Sequence, residues 1–333
     1  METTSIMLQN LCVPCACRCR YCLLSWDGHP AGVDDRRGER YAERFYAWTR
    51  ARRPELRFNY SFGYSMEHPD LPRALDFMRS IDSVGAEFLQ CDGMRMRTDD
   101  ELAALMAMLA WHGVKALNYT FYGEQAYHDR FAGRPGDCDL MLRAIEAALA
   151  QGLDVSVGIP LTRESAPQAD AVMNRLEAAG VAQIRLFVPH GEGRGAALEP
   201  IRLREGDLAL LSPRALNRLN REIYRAEAEW LSMKEVPKSE KRALLISLRP
   251  ENIDRFERMD CGEVIAEVEA LDDAWYAALP PFEALAARYG DPRGDCLYSL
   301  RDLVHRWQHM YVRDEGLRLH DVTDERLCGS RRF

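Results

Sequence analysis

Near its N-terminus the chain carries Cys15-Ala-Cys-Arg-Cys19-Arg-Tyr-Cys22, and no other stretch constrains it as tightly. Taken as Cys15, Cys19 and Cys22, the segment reads Cys-x3-Cys-x2-Cys, with Tyr21 just before the last cysteine. Three thiolates this close in sequence can wrap one soft metal centre, and thiolates are the ligands of iron–sulfur clusters. On a [4Fe–4S] cluster three cysteines leave the fourth iron open to another ligand. Cys12 and Cys17 crowd the same stretch, but only 15, 19 and 22 give this spacing. The pairs Cys12-x2-Cys15 and Cys19-x2-Cys22 keep a structural zinc site open as the alternative. The three residues between those pairs would make a cramped chelate loop.

The remaining cysteines bear on the compartment. The chain has ten, and Met1-Glu-Thr-Thr-Ser5 lacks the basic and apolar regions of a secretory signal. Cysteines in that setting are expected as ligands or free thiols in a reducing, cytoplasmic compartment. No apolar run reaches the length of a membrane span. A net charge of −8 over 333 residues argues against nucleic acid, since phosphate binding needs clustered Lys and Arg.

Along the chain, apolar segments alternate with amphipathic ones. Ser5–Leu11 reads as a first strand that runs into the cysteine loop, and Leu56–Tyr64 as a second. Ala86–Cys91, Val114–Tyr122, Leu153–Leu161 and Ala182–Val188 follow as further strands. Tyr41, Phe45 and Trp48 recur at helical period, as do Leu102, Leu105, Met106 and Leu109. Helices over Asp99–His112, Asp139–Ala150 and Pro167–Ala179 are each followed by glycine (Gly113, Gly152, Gly180) and then an apolar strand. That is the pattern of parallel βαβ units. Six strand–helix units suit an open, partial (β/α)6 barrel of the TIM type, in which ligands sit beyond the C-terminal ends of the strands. The cysteine loop lies at that end, with Gly63-Tyr64-Ser65, Cys91-Asp92-Gly93, Tyr122-Gly123 and Pro189-His190-Gly191.

The cysteine spacing resembles the signature of the radical S-adenosylmethionine (SAM) superfamily, and the resemblance extends over roughly residues 5–200. Tyr60-Ser-Phe-Gly-Tyr-Ser-Met-Glu-His-Pro-Asp-Leu-Pro72 is similar to the second-strand region, where the family has Gly-Gly-Glu-Pro. Cys91-Asp-Gly-Met-Arg-Met-Arg-Thr-Asp-Asp-Glu-Leu102 resembles its Thr-Asn-Gly turn. Asn118–Gly123, with Tyr127–Gly133 and Gly136–Asp139, resembles the fourth strand and its His-Asp loop. Val155–Arg163 resembles the fifth strand, and Ile184–Val188 through Gly195 the sixth. The resemblance implies Cys15, Cys19 and Cys22 as ligands of one [4Fe–4S] cluster whose open iron binds SAM. Adding an electron then cleaves SAM to a 5′-deoxyadenosyl radical that abstracts hydrogen from a substrate. It also implies Tyr21 against the cluster or adenine, Gly63, Tyr64 and Ser65 at the SAM amino group, Thr120 and Ser156 near its carboxylate and ribose, and Arg163 on the carboxylate. Phe62-Gly63-Tyr64-Ser65 departs from Gly-Gly-Glu-Pro, and the nearest acid is Glu67. Asp92 reads as a structural turn residue, and His128 and Asp129 as loop-fixing residues.

From Leu211 the pattern changes. Leu216, Leu219, Ile223 and Trp230 predict one long amphipathic helix, and Leu300, Leu303, Val304, Trp307 and Tyr311 another. Residues 1–205 are thus expected to form the barrel core, and 206–333 a mainly helical extension covering the substrate pocket. Cys261, Cys296 and Cys328 form no Cys-x2-Cys pair, so a single cluster is expected. Cys261 and Cys296 are weak candidates for donating hydrogen to a substrate radical. The expected partners are a low-potential electron donor, such as flavodoxin or ferredoxin, and a small-molecule or peptide substrate. The short segment before the first strand leaves no separate peptide-recognition domain there. A zinc-stabilised binding protein and a non-catalytic cluster-binding scaffold are the alternatives.

Overall fold

The computed structural model describes residues 2–22, 32–63, 65–191, 193–233 and 241–317. The predicted alternation is present throughout its first two thirds. Strand β1 (Glu2–Val13) is followed by α1 (Asp35–Arg52), β2 (Arg57–Gly63), α2 (Leu71–Ser80), β3 (Phe88–Gln90) and α3 (Asp99–Trp111). Next come β4 (Ala116–Thr120), the two helices α4 (Gln125–Ala132) and α5 (Asp137–Ala150), β5 (Asp154–Pro160), α6 (Ala169–Ala178) and β6 (Gln183–Phe187). Local chemistry sets the boundaries. Thr98 caps α3, its hydroxyl accepting from the Glu101 amide while the Glu101 carboxylate accepts from the Thr98 amide.

The strands run parallel in two hydrogen-bonded groups. One is ordered β2-β1-β8, where β8 is Lys241–Ser247; the other is β3-β4-β5-β6. Between β2 and β3 the ladder is replaced by a side chain. The Ser83 hydroxyl accepts from the Tyr60 amide and donates to the Tyr60 carbonyl, both at 3.1 Å. This is a mixed α/β fold of the partial-barrel type, with one strand more than the six expected. β8 comes from the C-terminal third and pairs in parallel with the free side of β1, Ile6 opposite Leu244 and Leu8 opposite Ile246.

The strands have two chemically distinct faces, as the period of two requires. Phe58, Tyr60, Leu117, Tyr119, Val155 and Val157 are buried in one continuous core with the helices. Asn59, Ser61, Gln90, Asn118 and Ser156 alternate with them and stay half-buried. Register aligns these polar residues across the sheet: Gln90 lies opposite Asn118, and Asn118 opposite Ser156.

The C-terminal third differs from expectation in one respect. The single long helix predicted from Leu216 to Trp230 is absent. In its place are α7 (Pro213–Arg218), strand β7 (Tyr224–Ala226) and α8 (Glu227–Ser232). Ser212 caps α7, and β7 pairs antiparallel with β9 (Leu297–Ser299). That long-range pairing overrides the local helical period. Helices α9 (Ile253–Arg258), α10 (Cys261–Ala278), α11 (Phe282–Tyr289) and α12 (Leu300–Asp314) complete the region, the last matching the second predicted helix. Trp230, Leu285, Tyr298, Leu303 and Trp307 form its own small core. No helix among the described residues is long and apolar enough to cross a membrane.

Candidate functional site

The loop after β1 alternates. Cys15 and Cys17 are buried and Cys19 half-buried, while Ala16, Arg18 and Arg20 between them are exposed. The thiols therefore face inward and the arginines outward. Backbone hydrogen bonds fix this arrangement against three neighbours. The Ala16 amide donates to the Gly93 carbonyl beyond β3 (2.8 Å), and the Arg18 and Arg20 amides donate to the Ala132 and Phe131 carbonyls of α4 (2.8 and 3.0 Å). The Arg194 amide, beyond β6, donates to the Cys22 carbonyl (3.0 Å). The close approach to α4 depends on Gly133. It ends α4 at φ +67°, and a Cβ there would lie 2.9 Å from the Arg18 Cβ. The ends of β1, β3, β4 and β6 thus meet at one mouth, as the strand order predicts.

The three expected ligands lie in this loop, and none forms a disulfide. Cys19 and Cys22 pack against the buried pair Cys15 and Cys17. Cys15 and Cys19 each hydrogen-bond to Cys17. Bonds from Cys15 and Cys19 pull the Cys17 thiol down, while the same contacts and burial push the Cys15 and Cys19 thiols well up. Among the described residues, no group of three His, Cys, Asp or Glu side chains is already arranged as a metal site. The donor set nonetheless fits an iron–sulfur cluster: inward sulfurs on a backbone held at three points.

Tyr21 packs in an aromatic cluster, 5.6 Å from Tyr122 and from His190 and 5.9 Å from Phe131, measured between ring centroids. Burial keeps its hydroxyl protonated, with Asp92 and Cys19 adding to the shift and hydrogen bonds to Thr120 and Tyr122 opposing it. The Tyr122 hydroxyl donates to the Cys19 sulfur at 3.1 Å. Thr120 closes β4 beside this cluster, and its hydroxyl and amide both donate to Asp92, at 2.7 and 2.8 Å. Burial pushes the Asp92 carboxyl up to about 7, against those hydrogen bonds. Ser156 lies on the same polar face and accepts from Asn118 Nδ2 at 2.8 Å.

The other expected SAM residues lie as follows. Gly63 has φ +97°, and a Cβ there would come within 3.1 Å of the Val13 carbonyl, so backbone geometry alone requires glycine. Tyr64 lies outside the described residues, as does the side chain of Ser65. Glu67 is engaged by the Arg97 guanidinium at 2.7 Å and the Arg95 amide at 2.8 Å. Arg163 pairs with Asp207 at 3.2 Å. Cys261 is buried at the start of α10 in the core shared with α1, and Cys296 is half-buried at a β-bridge with Arg204. Cys328 lies outside the described residues.

Two groups were not singled out from the sequence. One is the polar strand face of Asn59, Ser61, Gln90 and Asn118, legible as apolar–polar alternation in Phe58-Asn-Tyr-Ser-Phe62 and Leu117-Asn-Tyr-Thr120. The other is Asp137 with Arg134, against the cysteine loop. His128 is fully buried; its Nδ1 accepts from the Tyr122 amide, so Nε2 carries the proton, 3.0 Å from Asp137. Asp137 also accepts from Arg134 and lies 3.8 Å from the Cys17 sulfur. This matches the loop-fixing role expected of His128. Asp129 has that role too, accepting from the Gly136 and Cys138 amides.

No family model matches the chain, and no curated protein does. Solved structures do. SuiB of Streptococcus suis, bound to the precursor peptide SuiA, superposes with a TM-score of 0.50 and 9% identity, covering 73% of this chain and 58% of SuiB. This chain therefore matches little more than half of SuiB's length. The enzyme anSMEcpe with bound AdoMet covers 64% of the chain and 60% of its own at 13% identity and a TM-score of 0.45. Coproporphyrinogen III oxidase (HemN) of Escherichia coli, described as a radical SAM enzyme, covers 93% and 90% at 13% identity and 0.43. At these identities the likeness is one of fold. What the likeness to SuiB shows is a shared fold.

Proposed function

We propose that this chain is a radical SAM enzyme in which Cys15, Cys19 and Cys22 hold one [4Fe–4S] cluster. The observation that carries the reading is the inward-facing thiol loop, pinned by backbone hydrogen bonds to the loops beyond β3 and β6 and to α4, at the mouth of a parallel α/β fold. When bound, the cluster and SAM supply reductive cleavage to a 5′-deoxyadenosyl radical, which abstracts hydrogen from substrate. The protein's part is orientation and exclusion of water. Tyr21 with Tyr122, Phe131 and His190 makes an aromatic wall for the adenine. Thr120 and Ser156 sit on the polar strand face suited to ribose and carboxylate, and Asp92 orients Thr120. Backbone around Gly63, Tyr64 and Ser65 takes the SAM amino group, because Glu67 is committed to Arg95 and Arg97. Arg163 would reach the SAM carboxylate only by giving up Asp207. The hydrogen-donor role of Cys261 or Cys296 has its better support at Cys296, since Cys261 belongs to the helix core.

The substrate is a small molecule or a peptide. SuiB's complex with a precursor peptide supports keeping the peptide in view. The test is anaerobic reconstitution with iron and sulfide, then dithionite and SAM, with 5′-deoxyadenosine followed by mass spectrometry. Iron binding with 5′-deoxyadenosine formation is expected. A cluster without cleavage in the presence of candidate substrates would favour the scaffold, and zinc without iron the zinc-stabilised binding protein.

One side chain tunes this site without binding iron. Removing the Tyr122 hydroxyl takes a hydrogen bond from the Cys19 sulfur, and such bonds help set cluster potentials. Tyr122→Phe is expected to lower the midpoint potential by tens of millivolts, where ~59 mV is a tenfold change for one electron. An EPR-monitored redox titration reads this. An unchanged potential would mean that the hydroxyl leaves Cys19 in the loaded protein.

A further inference from the structure

The alternation of the cysteine loop has a second side. Arg18 and Arg20 point away from the thiols into solvent, and α4 adds Arg130 beside them, also exposed. Arg20 and Arg130 share one surface, with Arg18 on the same outer side of the loop. The Arg20 guanidinium lies 5.6 Å from the Phe131 ring centroid, the Arg130 guanidinium 5.2 Å from that of Tyr127, and those rings are 5.9 Å apart. Arg18 donates through its guanidinium to the Cys15 and Cys17 carbonyls, at 3.2 and 2.9 Å. The acids nearby are few. Glu164 pairs with Arg20 at 3.5 Å, with both side chains more than 40% exposed, and Asp129 is taken up by backbone amides. A cationic patch thus covers the outer face of the thiol loop on a chain whose net charge is −8.

We propose that this patch is the docking surface for a small acidic protein that carries one electron at low potential; the proposal rests on the radical SAM reading above. Electron transfer weakens steeply with distance, so a carrier that serves the thiol-bound centre must approach it through the thinnest cover. Among the described residues that cover is a single loop. An acidic carrier is repelled by the molecule as a whole and attracted at this face, and such a field orients encounter and raises the association rate. In the step served, the reduced carrier loses one electron and the cluster gains it, with no bond made or broken in either protein.

The test uses the full chain with a reduced or oxidised acidic flavodoxin as the probe. Arg20→Glu and Arg130→Glu are the informative variants, because among the described residues neither guanidinium hydrogen-bonds to the cysteine loop. Binding of oxidised flavodoxin, measured by calorimetry on both apo and reconstituted protein, is expected to weaken at least about tenfold in the double variant. A similar loss is expected for the wild type between about 50 and about 300 mM salt. With flavodoxin hydroquinone as reductant, 5′-deoxyadenosine formation should slow to match, while the dithionite-driven rate stays within about twofold of wild type. Arg20→Lys with Arg130→Lys, which keeps the charge, should restore binding. Charge reversal that leaves both binding and the flavodoxin-driven rate unchanged would overturn the docking surface, as would salt-independent binding. If dithionite yields no 5′-deoxyadenosine, the enzymatic reading fails, and the binding titration alone decides the surface.

Discussion

Alanine at Cys15, Cys19 or Cys22 is expected to eliminate reconstituted iron–sulfur absorbance and all detectable 5′-deoxyadenosine, while Cys12→Ala leaves both close to wild type. The discriminating variant is Cys17→Ala. Geometry alone does not separate Cys17 from the expected ligands, for its sulfur is inward, buried and hydrogen-bonded to Cys15 and Cys19. What separates it is the other side of that sulfur, 3.8 Å from both oxygens of Asp137, whose carboxylate is already held by Arg134 and His128. The Cys17 sulfur is thus engaged by that carboxylate as well as by its neighbours, so Cys17→Ala should keep the cluster with no more than a modest loss of yield. Iron content and the optical spectrum after anaerobic reconstitution decide it. Loss of the cluster in Cys17→Ala with retention in Cys22→Ala would assign the ligands to Cys15, Cys17 and Cys19 instead. Cys12 stays outside either set. Burial and the neighbouring Asp35 push its thiol up to about 12, and its sulfur lies against Asp35 and the Phe62 carbonyl.

The second large effect concerns the strand that the sequence pattern did not separate from its helical surroundings. Arg242 on β8 is 4% exposed, its guanidinium 3.2 Å from Asp272 on α10, 2.6 Å from Asp273 and 3.3 Å from Glu269. Its Nε also donates to the Thr3 hydroxyl on β1 at 3.0 Å. Burial works against its charge, and the three acids outweigh it. Arg242→Met would take this ion pair from the fully buried Asp272, and breaking a buried pair from one side costs about 3–5 kcal/mol. Urea unfolding should show that loss as a lower midpoint at an unchanged slope. In the double variant Arg242→Met/Asp272→Leu most of the loss should return, since the buried carboxylate goes together with its arginine. A single variant within about 1 kcal/mol of wild type would show that Asp272 is satisfied without the arginine.

How far the sequence carried the reading depends on the range of each interaction. The strands β1 to β6 were legible because each follows a local rule: an apolar run, a helix of period 3.6, then a glycine such as Gly113 or Gly152. The site was legible where its residues lie close in sequence, as Cys15 through Cys22 do. What escaped is non-local. Leu216 to Trp230 has a helical period, yet Tyr224–Ala226 is extended because it pairs with Leu297–Ser299. Lys241–Ser247 is a short apolar run whose partner is the N-terminal strand. Glu67 reads as a displaced SAM ligand until Arg95 and Arg97 are seen to hold it. The polar strand face lay in plain view as alternation, but its use depends on register, which aligns Gln90, Asn118 and Ser156.

The position of β8 also bears on the order of events as the protein is made. β1 is the middle strand of its group, with β2 on one edge and β8 on the other, Glu2 lying opposite Lys241. In chain order β1 and β2 come before β3 to β6, and β8 follows them all. Until residues 241–247 emerge, β1 presents an open edge of unpaired amides and carbonyls. The edge of β1 that β8 covers is therefore closed only after the whole segment from β1 to β6, cysteine loop included, has been made.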